Sequence, residues 1–361
     1  MIQNEDYWCV DINDDDIYQD EFIALSIVET SDLALPICSL RFQTQRWEKV
    51  QQYTTPGFKV SVGVGRTSIE TSCSMKVFKK KVATYRGNNR WLVDIWLSYD
   101  SMDYYNVHRT NVYNSHSDLQ SSSDVVTTLT SRIGFTQDLE VSDDKMLWLQ
   151  YNISDRRFLE EVVTHGWFGE QKPAMYAARR DGLFIYKPVT SLLKPRFSFG
   201  HGEVDIPVED LSLTEKDGFL SAWIGKERIL PFHSWEKGLN EQEINTPDQH
   251  MSGFIGMDDT TKYAPIGSLN DNMHENWLKA ESQNFQGRAS LSAVTTDIIL
   301  HKEYKDIYVL DCLEGLFIKP ETQETILPFM GSWLVTKVIH TVMDNHYSCT
   351  MSISREGLLE S

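Results

Sequence analysis

Positive charge is the first scarcity in this chain: 34 Lys and Arg stand against 52 Asp and Glu, a formal net charge of −18. Phosphate backbones are bound through a positive footprint, so this balance argues against sequence-specific nucleic-acid binding. Cysteine is sparse too. The five, Cys9, Cys38, Cys73, Cys312 and Cys349, are odd in number and widely spaced. They read as reduced structural thiols of a protein made in a cytosol, with neither a disulfide framework nor a zinc pair. No stretch approaches the ~20 consecutive apolar residues of a membrane-spanning helix. The opening Met1-Ile-Gln-Asn-Glu-Asp6 is acidic and lacks the basic and apolar regions of a signal peptide. The ten histidines form no His-Glu-x-x-His, and no serine sits in a Gly-x-Ser-x-Gly elbow.

What remains is a folded, aromatic-rich chain. Its 361 residues are enough for two or three domains with sizeable cores. Ten Trp, 15 Tyr and 16 Phe favour strands and large contact surfaces. Period-two alternation predicts strands over residues 21–28, 34–42, 58–64, 71–85 and 90–99, the last two joined by Gly87-Asn88-Asn89. Five or six antiparallel strands at this spacing suggest a small barrel or sandwich.

The pattern changes between residues 121 and 188. Val125, Val126, Leu129 and Ile133 share a helical face that ends at Gly134, and Phe158, Leu159, Val162 and Val163 share another over 156–165, stopped by Gly166. A hairpin over 174–187 turning at Asp181-Gly182 closes this α/β unit, and the 156–165 helix is expected to pack on it. Sheet signals return at 196–199, 203–206, 218–224, 306–311 and 332–342, the last followed by a turn at 343–346 and a strand at 347–355. In that final strand Tyr347, Cys349, Met351 and Ile353 alternate with serine and threonine, as a half-buried antiparallel strand does. Residues 235–290 are irregular, with a weakly patterned helix from 271 towards 286.

Several short motifs offer chemistry and fall short of it. Gly63-Val-Gly-Arg-Thr-Ser68 follows a strand but lacks the third glycine and following helix of a phosphate loop, which leaves a β-turn. Asp11, Asn13 and Asp15 match the first ligands of a calcium loop, yet its sixth and twelfth positions are Asp16 and Phe22. His201-Gly-Glu203 has no Pro-Cys-x-x-Cys behind it to complete a zinc deaminase signature. The lysines at 79–81 lie inside a strand pattern, fit to touch an acidic partner or a backbone phosphate, or equally to protect a sheet edge. A glycosidase carboxylate pair leaves no spacing in sequence and stays open as an alternative.

Two stretches carry a resemblance to a known family. One is Ser123-Asp-Val-Val-Thr-Thr-Leu-Thr-Ser-Arg-Ile-Gly-Phe135 followed by Gln150-Tyr-Asn-Ile-Ser-Asp-Arg-Arg-Phe-Leu159 and the Asp181-Gly182 turn. The other is Gly331-Ser-Trp-Leu-Val-Thr-Lys-Val-Ile-His340 with Tyr347-Ser-Cys-Thr-Met-Ser-Ile-Ser-Arg355. In this order they resemble the central baseplate hub proteins of contractile phage tails, the late control protein D family, related to the N-terminal part of type VI secretion spike proteins. The motif positions are Asn152, Ser154, Asp155, Phe158, Leu159, Asp181, Gly182, Gly331, His340, Tyr347 and Arg355.

The resemblance implies a mainly β chain of two tail-tube-like antiparallel barrels flanking a small α/β domain. Residues 1–113 would form the first barrel with an acidic arm, 114–190 the α/β insertion, and 191–361 the second barrel with an insertion at about 235–290. It further implies a homotrimer whose six barrels form a pseudo-six-fold ring joining tail tube to three-fold spike. Its partners would be the spike, the tube, the tape-measure protein and surrounding baseplate proteins, in the virion tail after assembly in the host cytoplasm. No cofactor, metal or catalytic residue belongs to that plan. The alternatives are a carbohydrate-active tail enzyme and an adhesive β-sandwich.

Overall fold

The computed structural model of the chain describes residues 2–4, 8–13, 16–65, 69, 71–84, 89–99, 101–115, 118–208, 213–215, 227–229, 242–244, 262–263, 273–292, 294–300, 306–317, 329–343 and 346–356. The expected strand at 218–224, the tip of the 87–89 turn, the Arg66-Thr67-Ser68 end of the glycine motif, Asp15, the centre of the 343–346 turn and most of 235–272 lie outside the described residues.

The architecture is mainly β, as expected. Alternation translates directly into burial: Val60, Val62 and Val64 of strand Lys59–Gly65 are fully buried, as are Cys38, Leu40 and Phe42 of strand Ile37–Thr44. Strands Ile2–Asn4, Trp8–Ile12, Lys59–Gly65, Thr71–Thr84, Trp91–Ser98, Ile37–Thr44 and Phe22–Thr30 follow one another in space. The order then continues, without a break, into Gly331–Met343, Cys312–Leu316, Pro195–Gly200 and Ile206–Pro207.

The joining strand is Gly331–Met343, which is 13 residues long. Along one edge, Leu334 and its neighbours pair with Cys312–Leu316, while the further half pairs with Phe22–Thr30 in the register His340 to Ile27. Its other edge carries His346–Arg355, followed by Val294–Leu300 and Leu213–Glu215. Among the described residues the two β-regions are thus one 14-stranded sheet. Two tail-tube-like antiparallel barrels were expected, and among the described residues no barrel closes. A strand long enough to serve a neighbour from each region merges them at its centre.

A second hydrophobic core lies beside this sheet. Helix Ser122–Arg132 begins at a capping box in which Ser121 and Asp124 satisfy each other's backbone N–H groups. It ends before Gly134, whose φ of +87° suits glycine. Helix Asp155–His165 buries Phe158, Leu159, Val162 and Val163, as its periodicity predicts. These side chains share the core with Ala174, Ala178, Phe184 and Tyr186 of the hairpin and with Val125, Val126 and Leu129 of the first helix. The hairpin pairs Ala174–Ala178 with Leu183–Pro188, and strand Thr136–Leu139 adds to it in parallel. Helix Trp277–Leu291 packs against helix Asp155–His165 from late in the sequence.

The strand expected at 306–311 is a loop, and pairing starts only at Cys312. Its backbone groups are taken by buried side chains instead: Ile307 C=O accepts from Arg180 and Val309 N–H donates to Glu29. Leu310 sits at a φ of +65°, which breaks extended geometry.

Candidate functional site

The hairpin turn delivers an arginine into the junction between the two cores. Gly182 takes the positive φ (+80°) the turn needs, and Asp181 Oδ1 accepts from Leu183 N–H at 3.2 Å. This turn places Arg180, fully buried, against Glu29 of strand Phe22–Thr30. Arg180 Nη1 donates to Glu29 Oε1 at 2.6 Å, and the Arg180 backbone N–H donates to Glu29 Oε2 at 2.7 Å. Nη1 also donates to Ile307 C=O at 2.8 Å, and Nη2 donates to Asp306 Oδ1 at 3.1 Å. Tyr99 Oη donates to Arg180 C=O at 2.8 Å.

The rest of the junction covers this pair. The Tyr308 ring lies 3.7 Å from the Arg179 guanidinium and 4.0 Å from that of Arg180. Asp311 receives Arg196 at 2.7 Å and the Tyr308 N–H at 3.0 Å. Burial pushes the Glu29 carboxyl above its ordinary value, and the Arg180 guanidinium with the two backbone N–H donors opposes that shift. The arrangement holds four chain segments in one orientation through charge-assisted hydrogen bonds.

The first set of predicted motif residues gathers at the start of helix Asp155–His165. Asn152 has a φ of +49° at a register shift between Tyr151 and Ile153, and its N–H donates to Thr110 Oγ1 at 3.2 Å. Ser154 is the N-cap, accepting from Arg157 N–H. Asp155 is fully buried, where it accepts from Gln150 Nε2 at 2.8 Å and lies 3.4 and 3.5 Å from Arg109 and Arg132. Below them Phe158 stacks on Tyr113 at 5.2 Å and Leu159 is buried in the core. A carboxylate at a helix N-terminus with arginine partners is a positioning network.

The second set lies along the joining strand. His340 Nδ1 and Tyr347 Oη are 2.9 Å apart, both buried. Burial, and after it the charge of Arg180, push His340 well below its ordinary value. Gly331 has a φ of +96°. Arg355, fully buried, donates to Met330 C=O at 2.6 Å and lies 5.0 Å from the Trp333 ring. Burial lowers its pKa to about 10.

Glu29, Arg180, Asp306 and Tyr308 were missed by motif reading. One signal was available: Glu29 falls in phase with the buried Leu25 and Ile27 of its strand, which marks an inward carboxylate.

The other candidate motifs resolve into packing. Asn13 accepts from Ser61 N–H at 2.8 Å and donates to Tyr53 Oη at 3.0 Å, so its side chain fastens a turn to the sheet. The His201 ring lies edge-on to Phe317 at 5.4 Å. No group of three His, Cys, Asp or Glu among the described residues is placed to hold a metal. An open groove of about 540 Å³ runs between strands Lys59–Gly65 and Thr71–Thr84 and the Asp181-Gly182 turn, and Asp181 is the sole carboxylate among the described residues of its lining.

Comparison by sequence returns no matching family model and no matching curated protein. Comparison of the fold does. A tail protein of Neisseria meningitidis aligns over 97% of this chain and 97% of its own, with a TM-score of 0.59 and 8% identity. The 43 kDa tail protein of prophage MuSo2 from Shewanella oneidensis aligns over 97% and 99%, with a TM-score of 0.59 and 10% identity. A type VI secretion component of E. coli, described as structurally similar to T4 bacteriophage tail proteins, aligns over 98% and 79%, with a TM-score of 0.52 and 9% identity. The chain has the fold that these tail proteins and the secretion component share.

Proposed function

We propose that this protein is the central hub of a contractile phage tail or a related injection device. It acts as a homotrimer whose chains each contribute two tube-like halves, residues 1–113 and 191–361, to a pseudo-six-fold ring. One side of that ring seats the six-fold tube and the other the three-fold spike, with tape-measure and baseplate proteins around it. The α/β segment 114–190 braces the two halves, and the Arg180–Glu29 pair is its attachment to the sheet. Joining parts of different symmetry is done by shape and contact, and no catalytic step is assigned to the chain.

The observation that carries this reading is the extent of the fold likeness, 97% or more of this chain in each of the three comparisons. It spans both β-regions and the α/β unit together, which a likeness to an isolated barrel or sandwich module does not. The motif order at 123–159, 181–182 and 331–355, which resembles that of the hub proteins, adds to this reading.

Co-expression with the cognate spike and tube proteins, followed by single-particle imaging, tests the proposal. The expected particle contains three copies around a central pore, stacked on spike and tube. A chain that remains monomeric and unattached in the presence of both partners overturns it.

A further inference from the structure

Strand Thr71–Thr84 is 14 residues long and changes partner partway. Residues 71–76 pair with strand Lys59–Gly65 on one edge, and residues 76–84 pair with strand Trp91–Ser98 on the other. The first partner stops because the chain turns away at Gly57, where φ is +78° and the N–H donates to Val77 C=O. Among the described residues, nothing pairs with the far edge over 79–84. Every residue from 78 to 84 is exposed, on both faces of the strand. These include the apolar Phe78 and Val82, at 40% and 38% exposure.

The same stretch concentrates the charge the chain otherwise lacks. Lys76, Lys79, Lys80 and Lys81 fall between Thr71 and Thr84 with no Asp or Glu among them. Lys79 lies 4.6 Å from the Trp96 ring and Lys80 donates to Thr54 C=O at 2.7 Å, so two of these side chains are held near the strand. Lysines on an edge suppress pairing of that edge with itself, since two copies would bring like charges together. They favour an acidic strand in the same place, where main-chain hydrogen bonds give affinity and charge gives selection.

We infer that the open edge at 79–84 is a docking strand for an acidic extended segment of a second copy of this chain. Every copy carries 52 acidic against 34 basic residues, so the surface it offers to a basic strand is on balance negative. Because the lysine edge repels itself, the contact joins two different surfaces of the two copies. Such head-to-tail contacts close into rings when the rotation permits. The inference rests on the hub reading for the side-by-side placement of copies, and it adds which edge makes the contact. Nucleic acid is the competing occupant of a lysine strand. The row of backbone donors and acceptors left unpaired among the described residues, and the net charge of −18, favour a protein strand.

Two measurements on the full chain test it. The first mixes isotopically heavy and light copies, applies a zero-length carbodiimide cross-linker and reads the products by mass spectrometry. The expected products join Lys79, Lys80 or Lys81 of one isotope to Asp or Glu of the other. Links from these lysines confined to single copies overturn the inference. The second compares the wild-type chain with K79E/K80E/K81E and K79Q/K80Q/K81Q by mass photometry across ionic strength. Charge reversal should weaken self-association by about tenfold or more, neutralisation less, and salt should weaken the wild type. A wild-type trimer unchanged by charge reversal overturns the docking edge and leaves the hub standing. Failure of the wild type to join spike and tube removes the hub itself. Loss of duplex-DNA binding on charge reversal, with self-association unchanged, overturns the inference in favour of nucleic acid.

Discussion

Arg180 Nη1 lies 2.6 Å from Glu29 Oε1, although 151 positions separate the two residues in the chain. Both side chains are essentially withdrawn from solvent, at 1% and 0% exposure. The pair ties the hairpin turn to strand Phe22–Thr30, beside the hairpin's Met175, Ala177 and Ile185, which pack in the sheet's own core.

Removing one member should be worse than removing both. Arg180→Met leaves Glu29 buried without its cation and should cost about 3–5 kcal/mol. The double variant R180M/E29L replaces the pair with apolar groups and should recover part of that loss. Urea unfolding of the two singles and the double measures this, and a double that is as unstable as the sum of the singles speaks against a coupled pair.

Asn284 should matter more than an asparagine inside a helix ordinarily does. Its Nδ2 donates to Thr164 C=O at 2.9 Å and Gly166 C=O at 2.8 Å, and its Oδ1 accepts from Ala174 N–H at 2.7 Å. These groups include a carbonyl at the end of helix Asp155–His165, where helical partners run out. Asn284→Leu leaves them unpaired in the interior and should destabilise by about 1–3 kcal/mol. Hydrogen exchange should show faster opening at 164–174 than on the far side of the sheet.

Gly166 is required by contact, since its φ of −68° is open to any residue. An added Cβ would run into Tyr186 Oη and Ser122 Oγ. Gly166→Ala should cost about 1–3 kcal/mol through overpacking. In a Tyr186→Phe background the penalty should shrink, because the atom nearest the new methyl is gone. Denaturation midpoints of the four proteins decide it, and an undiminished penalty places the strain elsewhere.

Acid should act partly through Glu21. Burial alone raises its carboxyl, but hydrogen bonds from Thr44, Lys49, Arg46 and the Tyr18 N–H outweigh burial and hold it at about 2, against 4.5 for the free group. The folded state therefore binds the proton more weakly than the unfolded one. The stabilisation is complete above pH 4.5 and is lost as the pH falls from there towards about 2. Glu21→Gln should be less stable than the wild type at pH 7, with the difference narrowing over that window. A gap that stays constant from pH 7 to 2 counts against the assignment.

How far the chain could be read depended on the range of each interaction. Val60, Val62 and Val64 announced their strand because alternation is a property of neighbours two apart. Val125, Val126, Leu129 and Ile133 announced a helix because one helical face repeats over three and four residues. The 306–311 segment, apolar and β-branched in part, looked like a strand and is a loop, since Arg180 and Glu29 claim its backbone groups from afar. The helix expected from 271 towards 286 runs from Trp277 to Leu291. Its asparagines weakened the pattern, and Asn284 owes its place to bonds with residues more than a hundred positions away.

The sequence by itself determined the mainly β character, the faces of the strands, both helices of the α/β unit and the Asp181-Gly182 hairpin. These follow from periodicity and turn chemistry, which act over a few residues. Only the tertiary structure decided that Gly331–Met343 takes a partner from each β-region, making one sheet of them, and that Arg180 meets Glu29. A period of two tells a strand which side to bury and is silent on which strand lies beside it. An inward glutamate tells of a buried charge and leaves its distant partner unnamed.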